Sequence, residues 1–161
     1  MMPPIISIVG KSGSGKTTLI EKIIPELKRR GYKIGTVKHA YHGFDIDQKG
    51  KDSWRHKEAG ADMVIVASPG KIAMVKDSNC KSLECLEKYF HDMDIIIVEG
   101  YKRENKPKIE IFRSSTHKKP LCREDNNLIA LVTDSNIDLK VPKFGLEEID
   151  NLVGFIEKKY L

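Results

Sequence analysis

Long apolar runs and cysteines are scarce in this chain of 161 residues. No apolar segment approaches the roughly 20 residues that a membrane-spanning helix needs. The start of the sequence, Met-Met-Pro-Pro before Ile5–Val9, lacks the basic flank and apolar length of a secretory signal. The cysteines, Cys80, Cys85 and Cys122, show no two-residue spacing, so the pattern predicts neither a disulfide framework nor a zinc knuckle. We therefore expect a cytoplasmic protein without a membrane segment.

The composition is that of a globular domain. Hydrophobic residues make up 40% of the chain and charged residues 32%, a balance that argues against intrinsic disorder. The net charge of +5 suits phosphate-bearing ligands but is too dispersed to indicate a nucleic acid partner. We interpret the lysine-rich stretch 102–119 as a solvated face. The length predicts a single domain over residues 1–161.

Short β-branched segments alternate with helical patterns along the chain. The runs Ile95–Val98 and Leu128–Val132 are apolar without alternation, which is typical of strands covered on both faces in a parallel sheet. The turn 67–71, which contains Pro69 and Gly70, predicts a hairpin that adds an antiparallel piece to this sheet. Strands are predicted at Ile5–Val9, Lys33–Lys38, Met63–Ala67, Ile72–Val75, Ile95–Val98, Ile109–Phe112 and Leu128–Val132, and helices at Lys16–Arg30, Ser82–Phe90 and Leu146–Tyr160.

A phosphate-binding loop is the strongest motif, and it stands between a predicted strand and a predicted helix. Its glycines let successive backbone amides turn toward a phosphate, Lys16 adds a positive charge, and the Thr17 hydroxyl is an expected Mg²⁺ ligand. Lys11 is either a solvated residue or a lysine that reaches a partner subunit's phosphates. The motif predicts an α/β, P-loop NTPase-like three-layer sandwich. The predicted nucleotide-binding residues are Gly10, Lys11, Ser12, Gly13, Ser14, Gly15, Lys16, Thr17 and Thr18.

An acid ends one of the buried strands. Glu99 follows Ile95–Val98 and precedes Gly100, so we expect it to face the same crevice as the phosphate loop. There it would hold the metal or polarise the attacking water. The alternative is a strand-end acid in a surface ion pair.

A third candidate region, residues 38–56, follows the second strand and is rich in His, Asp and Lys. Asp45 or Asp47 could bind Mg²⁺ or orient a water, and we take Asp45 as the metal ligand and Asp47 as the catalytic acid. A lysine or arginine here could meet a second anion. These cations are Lys38, Lys51 and Arg55. A transition-metal site at His39, His42 and Asp45 is the alternative.

The sequence says less about which base the nucleotide carries than about where its phosphates bind. The segment Asn105–Lys108 lacks the acid of the guanine-binding pattern Asn-Lys-x-Asp. Asp134, after the strand Leu128–Val132, is a substitute for that acid or a residue that caps a turn.

These motifs together resemble those of the MobB family of molybdopterin-guanine dinucleotide biosynthesis adapter proteins. The resemblance spans nearly the whole chain. It rests on Gly10–Thr17, Lys38–His42, Phe44–Asp47, Gly50–Ser53 with Arg55, Glu58–Ala61, Val66–Ser68 and Val98–Lys102. It implies a homodimeric, Mg²⁺-dependent GTP-binding protein with weak GTPase activity that assists a guanylyltransferase in attaching GMP to molybdopterin. It also implies that Asp45–Asp47 and Gly50–Ser53 line the nucleotide or pterin side of the crevice.

Two other functions share the phosphate loop. A small-molecule kinase would transfer the γ-phosphoryl group to an acceptor and usually needs a lid that carries arginines. The comparable segment here, Arg113–Arg123, is interpreted as a surface loop. A non-enzymatic module would hold a phosphorylated ligand without catalysis. For the adapter function we assign Lys16, Asp47 and Glu99 to catalysis and expect slow turnover.

Overall fold

A six-stranded parallel sheet is the main element of the computed structural model, which describes residues 2–80 and 82–161. The strands along the chain are β1 (Ile5–Val9), β2 (Ile34–Lys38), β3 (Met63–Ser68), β4 (Lys71–Lys76), β5 (Ile95–Glu99), β6 (Lys108–Phe112), β7 (Leu128–Thr133) and β8 (Lys143–Phe144). The helices are α1 (Lys16–Arg29), α2 (Asp52–Glu58) and α3 (Ile149–Tyr160), and a 3-10 helix spans Leu83–Tyr89.

The strand order β2-β5-β1-β6-β7-β8 places β1 inside the main sheet. All five pairings are parallel, and the register joins Ile8 to Glu99 on one side and to Ile109 on the other. The carboxyl ends of all six strands therefore lie at one edge of the sheet. The predicted fold class, a mostly parallel α/β sheet of the P-loop NTPase-like type with an added hairpin, is confirmed.

The larger core lies on the face of the sheet that α1 and α3 cover. Alternate strand residues point to this face because side chains along a strand alternate between the two faces. They pack against the apolar stripe of α1 and against Leu152, Val153 and Ile156 of α3. The sheet residues of this core are Ile6, Ile8, Ile95, Ile97, Ile109, Ile111, Ala130 and Val132.

The opposite face is covered by the 3-10 helix and by loops. Leu83 packs there against Ile5, Ile96 and Val98. Two charged side chains of β6 are also buried on the sheet. Lys108 Nζ donates to Asp125 Oδ2 at 2.8 Å, and Glu110 accepts hydrogen bonds from the backbone of residues 121 and 122. These contacts fix the connection between β6 and β7, since buried charges need partners.

Helix α1 continues past Pro25 and stops at a left-handed glycine. Gly31 has φ 93°, its N–H donates to Lys28 O, and the N–H of Tyr32 donates to Leu27 O. This double hydrogen bond is a Schellman motif, which satisfies carbonyl groups at the end of the helix. The chain can then turn directly into β2.

Residues 40–80 form one compact unit, and residues 2–39 and 82–161 form another. The predicted hairpin is present as β3 and β4, but it forms a separate two-stranded sheet and does not extend the parallel one. Helix α2 was not predicted, since none of its residues is buried and the sequence carries no apolar stripe there. The single-domain assignment stays a prediction.

The cysteines differ from the prediction. Cys80 and Cys85 are each in the disulfide-bonded state, which the cysteine spacing did not predict because it matches no characteristic motif. Cys122 is free and buried, and burial raises the pKa of its thiol to about 11.

A membrane-spanning helix would have to be longer and more apolar than any helix within residues 2–80 and 82–161.

Candidate functional site

The phosphate loop runs from Gly10 to Gly15 and joins β1 to α1 at the carboxyl edge of the sheet. A Cβ atom at Gly10 would lie 2.6 Å from Ile111 O and 2.6 Å from Ser14 Oγ, so the loop lies directly against β6. Gly15 has φ 99° and is the N-cap of α1, which directs the amides of the first helical turn toward the loop. The backbone geometry is that of an anion-binding nest.

Two polar groups converge inside this loop. Lys16 Nζ donates to Gly10 O and Lys11 O, both at 3.0 Å, so its ammonium group lies over the loop. Ser14 Oγ is buried and has no hydrogen-bond partner within the part of the chain that the structure describes. A buried hydroxyl without a partner is uncommon in folded proteins. Both groups are therefore placed to bind an oxyanion.

Thr17 and Glu99 come together across the edge of the sheet. Thr17 Oγ1 lies 3.1 Å from each carboxylate oxygen of Glu99, although 82 residues separate them in sequence. Glu99 is half-buried, with 17% of its side chain exposed, and Lys38 Nζ lies 3.8 Å from Oε1. Hydroxyl and carboxylate oxygens are the hard ligands that Mg²⁺ prefers, so this pair fits the metal predicted for it.

An aromatic stack adjoins Glu99. The rings of His39 and Tyr101 are stacked with centroids 4.3 Å apart, and His39 N donates to Glu99 O at 3.0 Å. Tyr101 has φ 52°, which is rare for a residue with a side chain. Burial raises the pKa of its phenol, and the carboxylate of Glu104 adds to this shift. Sequence analysis did not identify this stack, which follows from the pairing of Lys38 with Glu99 in the register of β2 and β5.

The acids of the third candidate region belong to the unit of residues 40–80. Asp45 is exposed, and Asp47 is half-buried with Oδ1 accepting a hydrogen bond from Gln48 N at 2.8 Å. Lys51 is the N-cap of α2 and Arg55 lies within this helix. Their roles toward metal, water or a second anion stay predictions.

A transition-metal site is not supported by the described side chains. Across residues 2–80 and 82–161, no group of three or more His, Cys, Asp or Glu side chains is arranged to hold a metal ion. The alternative interpretation of His39, His42 and Asp45 stays a prediction, because His39 belongs to one unit and the other two residues to the other.

Asp134 joins the connections that follow β6 and β7. Its Oδ1 accepts hydrogen bonds from Ser114 N at 3.0 Å and from Ser135 Oγ at 2.8 Å. The Ser114 N–H, followed by the Ser135 hydroxyl, holds the pKa of the Asp134 carboxyl below its ordinary value. A contact between Asp134 and a base stays a prediction.

A cavity of about 150 Å³ lies beside the phosphate loop, between the first turns of α1 and the carboxyl ends of β6 and β8. Ser14, Gly15 and Thr18 form the side next to the loop, and Arg113 and Leu146 line it from the sheet. Sequence reasoning did not identify Arg113 or Leu146 individually, because neither belongs to a recognisable motif.

Comparisons with known proteins agree with this geometry. The family model described as "Molybdopterin guanine dinucleotide synthesis protein B" matches residues 5–134. The molybdopterin-guanine dinucleotide biosynthesis adapter protein of Haemophilus influenzae is 38% identical and covers 96% of this chain and 88% of its own length. The adapter protein of Escherichia coli is 35% identical, covering 96% of this chain and 92% of its own length.

Solved structures show the same fold. The crystal structure of Bacillus subtilis MobB superimposes with a TM-score of 0.80 at 26% identity and covers 98% of both chains. A crystal structure of molybdopterin-guanine biosynthesis protein B gives a TM-score of 0.74 at 29% identity, covering 96% of this chain and 98% of that one. The phosphate loop, Glu99 and the hairpin all fall within the matched residues, and the chain belongs to the molybdopterin guanine dinucleotide synthesis protein B (MobB) family.

Proposed function

We propose that this protein acts in molybdopterin guanine dinucleotide biosynthesis as an adapter that binds GTP with Mg²⁺ and hydrolyses it slowly in support of a guanylyltransferase. The adapter role in this biosynthesis is supported by the family to which the chain belongs. The observation that carries the nucleotide part is the arrangement of Lys16, Thr17 and Glu99 around one loop. These residues offer a cation, a hydroxyl and a carboxylate where a metal-bound triphosphate needs them.

Backbone amides would provide the main contacts to the phosphates. The N-terminal amides of α1 and the glycine-rich turn point their donors at an anion, and the helix dipole adds to the attraction. Lys16 Nζ would exchange its two carbonyl partners, Gly10 O and Lys11 O, for phosphate oxygens. The buried Ser14 hydroxyl would gain the hydrogen bond that the described residues do not provide.

The metal would be held by Thr17 and Glu99, directly or through water. When bound, Mg²⁺ neutralises charge on the phosphate oxygens. In this chain, the Glu99 carboxylate orients the Thr17 hydroxyl or a nearby water, and Lys38 balances the charge of Glu99 at 3.8 Å. Lys16 and Lys38 provide the positive charge at this site. We expect slow hydrolysis, because fast phosphoryl transfer commonly depends on an added arginine.

Calorimetric titration with GTP, GDP and ATP, each with and without Mg²⁺, tests this function. Lys16→Ala should weaken GTP binding roughly tenfold to hundredfold, since a hydrogen bond to a charged group is lost. Lys28→Ala is the matched control: it removes an equal charge from the other end of α1, where Lys28 Nζ donates to the carbonyl of Tyr32 at 3.3 Å.

Three outcomes would contradict the proposal. Unchanged GTP affinity in the Lys16 variant would remove its central contact. A preference for ATP, with label from the γ-phosphate appearing on a metabolite, would favour a small-molecule kinase. Tight pterin binding without phosphate release, with or without the guanylyltransferase, would favour a non-enzymatic module.

We also propose that the protein is a homodimer. The supporting observation is the exposed apolar face of the hairpin formed by β3 and β4. The register pairs Ile65 with Met74 and Ala67 with Ile72, so these side chains share one face of β3 and β4 with Met63. Met63 is 47% exposed, Ile65 53%, Ile72 74% and Met74 40%, whereas on the other face Val64 is 9% exposed and Val66 is 52% exposed. A two-stranded sheet with a bare apolar face is marginal in water. We propose that a second copy of this chain covers it.

Sedimentation of two variants tests the dimer. Ile72→Glu puts a charge on the apolar face and should yield monomers. Lys71→Glu, the neighbouring residue on the opposite face, should leave the dimer intact. A wild-type protein that is monomeric at all concentrations, or an Ile72→Glu variant that remains dimeric, would exclude this interface.

A further inference from the structure

The cavity beside the phosphate loop has a definite position relative to the proposed triphosphate. Glu99 ends β5, on one side of β1, whereas β6, β7 and β8 lie on the other side. If the γ end of a nucleotide reaches Thr17 and Glu99, its nucleoside must extend toward β6–β8. The cavity of about 150 Å³ lies on that side, next to Gly15 and Thr18. It is therefore the space available to the nucleoside.

The walls of this cavity suit a flat heterocycle. Leu19, Ile111 and Leu146 supply apolar surface, and Arg113 supplies a planar set of hydrogen-bond donors. Lys22 and Glu147 also line the cavity, and they pair with each other at 2.7 Å. Ligand pockets typically combine such apolar walls with a few polar groups that fix orientation.

Arg113 lies at this wall with 43% of its side chain exposed. Its Nε is buried and has no hydrogen-bond partner among residues 2–80 and 82–161. The nearest acidic oxygen, Asp134 Oδ2, lies 3.9 Å from Nε. Ser114 and Ser135 fix Asp134 through Oδ1, as described above. Asp134 thus places a fixed negative charge near the guanidinium group, and it does not itself line the cavity.

We propose that Arg113 is the specificity-determining residue for guanine, donating to its O6 and N7 atoms. The inference rests on the proposed nucleotide binding. Guanine presents two adjacent acceptors on this edge, whereas adenine presents an amino donor beside N7. An arginine has donors and no acceptor, so it favours guanine. This would provide guanine selectivity in a chain that lacks the sequence pattern Asn-Lys-x-Asp.

A double-mutant cycle between protein and ligand tests the contact. The probes are GTP, ATP, 7-deaza-GTP, which lacks the N7 acceptor, and inorganic tripolyphosphate, each titrated with Mg²⁺. The wild-type protein should bind GTP roughly tenfold more tightly than 7-deaza-GTP. Arg113→Met should bring this ratio close to one, lower the preference for GTP over ATP roughly tenfold to hundredfold, and leave tripolyphosphate binding unchanged.

Two further variants separate the contact from charge and folding. Arg113→Lys keeps the charge but lacks the planar fork, so it should lose selectivity for GTP while retaining tripolyphosphate affinity. Arg123→Met removes an exposed arginine from the same connection between β6 and β7 and should bind all four probes like the wild type.

Several results would overturn the inference. Equal weakening of GTP, ATP and tripolyphosphate by Arg113→Met would place the guanidinium on a phosphate. Slower hydrolysis with unchanged affinities would make it a catalytic residue. Unchanged selectivity would exclude it from base recognition. If the wild-type protein bound neither GTP nor tripolyphosphate, the proposed nucleotide function itself would fail, which is a different result from a failure at Arg113.

Discussion

Thr17 Oγ1 is equidistant from the two carboxylate oxygens of Glu99, at 3.1 Å from each. This contact joins the first turn of α1 to the end of β5. One element presents a phosphate-binding loop and the other presents an acid, so the contact marks where an anion and a cation would meet. Its position follows from the sheet order, because β1 and β5 are neighbours.

Substitutions of Thr17 and Glu99 should lower the gain in GTP affinity that Mg²⁺ provides more than they lower the GTP affinity measured without Mg²⁺. We expect Thr17→Ala and Glu99→Gln each to reduce the Mg²⁺-dependent part of GTP affinity roughly tenfold, because each removes an oxygen ligand or its orientation. Thr17→Ser keeps the hydroxyl and is the matched control. Titration of GTP at several Mg²⁺ concentrations measures the effect. Full Mg²⁺ dependence in Glu99→Gln would rule Glu99 out of the metal site.

Gly10→Ala should disrupt the phosphate loop. The added methyl group would lie 2.6 Å from the carbonyl oxygen of Ile111, and backbone in the centre of a sheet cannot move aside cheaply. We expect a loss of about 2 kcal/mol in the free energy of unfolding, with weaker GTP binding. Gly13→Ala is the comparison: both glycines have a positive φ that strains alanine, but nothing lies within 4 Å of the Gly13 Cβ position, so only Gly10→Ala adds the steric clash. Urea denaturation of both variants measures this, and equal stabilities would contradict the expectation.

Stability should fall in acid because of Glu26. Hydrogen bonds from Arg29 and then Arg30 hold the pKa of its carboxyl at about 2, against an ordinary value of 4.5. The folded-state pKa is the lower one, so this stabilisation is fully present above pH 4.5 and is lost as the pH falls from 4.5 toward 2. Thermal unfolding between pH 7 and pH 3 should show a shallower acid loss in Glu26→Gln. Glu21→Gln, an exposed acid on the same helix, is the control. An unchanged slope in Glu26→Gln would contradict this.

The buried ion pair of Lys108 and Asp125 should respond asymmetrically to substitution. Lys108 is 2% exposed and Asp125 is 26% exposed. Asp125→Ala leaves an ammonium group buried without its carboxylate and should cost about 3 to 5 kcal/mol. Lys108→Met leaves an acid that water can reach and should cost much less. The double variant should be more stable than Asp125→Ala alone. Chemical denaturation tests this order, and additive effects would contradict it.

Much of the fold was predictable because burial on both faces leaves a plain signal. The run Ile95–Val98 is apolar without interruption, and it forms the buried strand β5. Helices and strands that bury few side chains could not be predicted from the sequence in this way. Strand β8 has two residues, and α2 buries none. The predicted helix at Ser82–Phe90 is a 3-10 helix over Leu83–Tyr89, a distinction to which apolar spacing is insensitive.

The site was predictable where a local motif encodes it. The phosphate loop is contiguous in sequence, and Glu99 stands out as an acid after a buried strand. Arg113 has no such context. Its relation to the cavity and to Asp134 depends on the pairing of β6 with β7, which brings together residues from separate connections. The stack of His39 on Tyr101 likewise depends on the pairing of β2 with β5.

Glu110 has a consequence for local unfolding. Its carboxylate accepts the N–H groups of Leu121 and Cys122 at 2.6 Å and 2.8 Å, in a connection without regular secondary structure. Amide hydrogen exchange in loops is usually fast, because loops open without disturbing the core. Here the acceptor is buried on a strand of the main sheet. We therefore expect these two amides to open together with the main sheet, so that part of an irregular loop would exchange with the kinetics of the sheet.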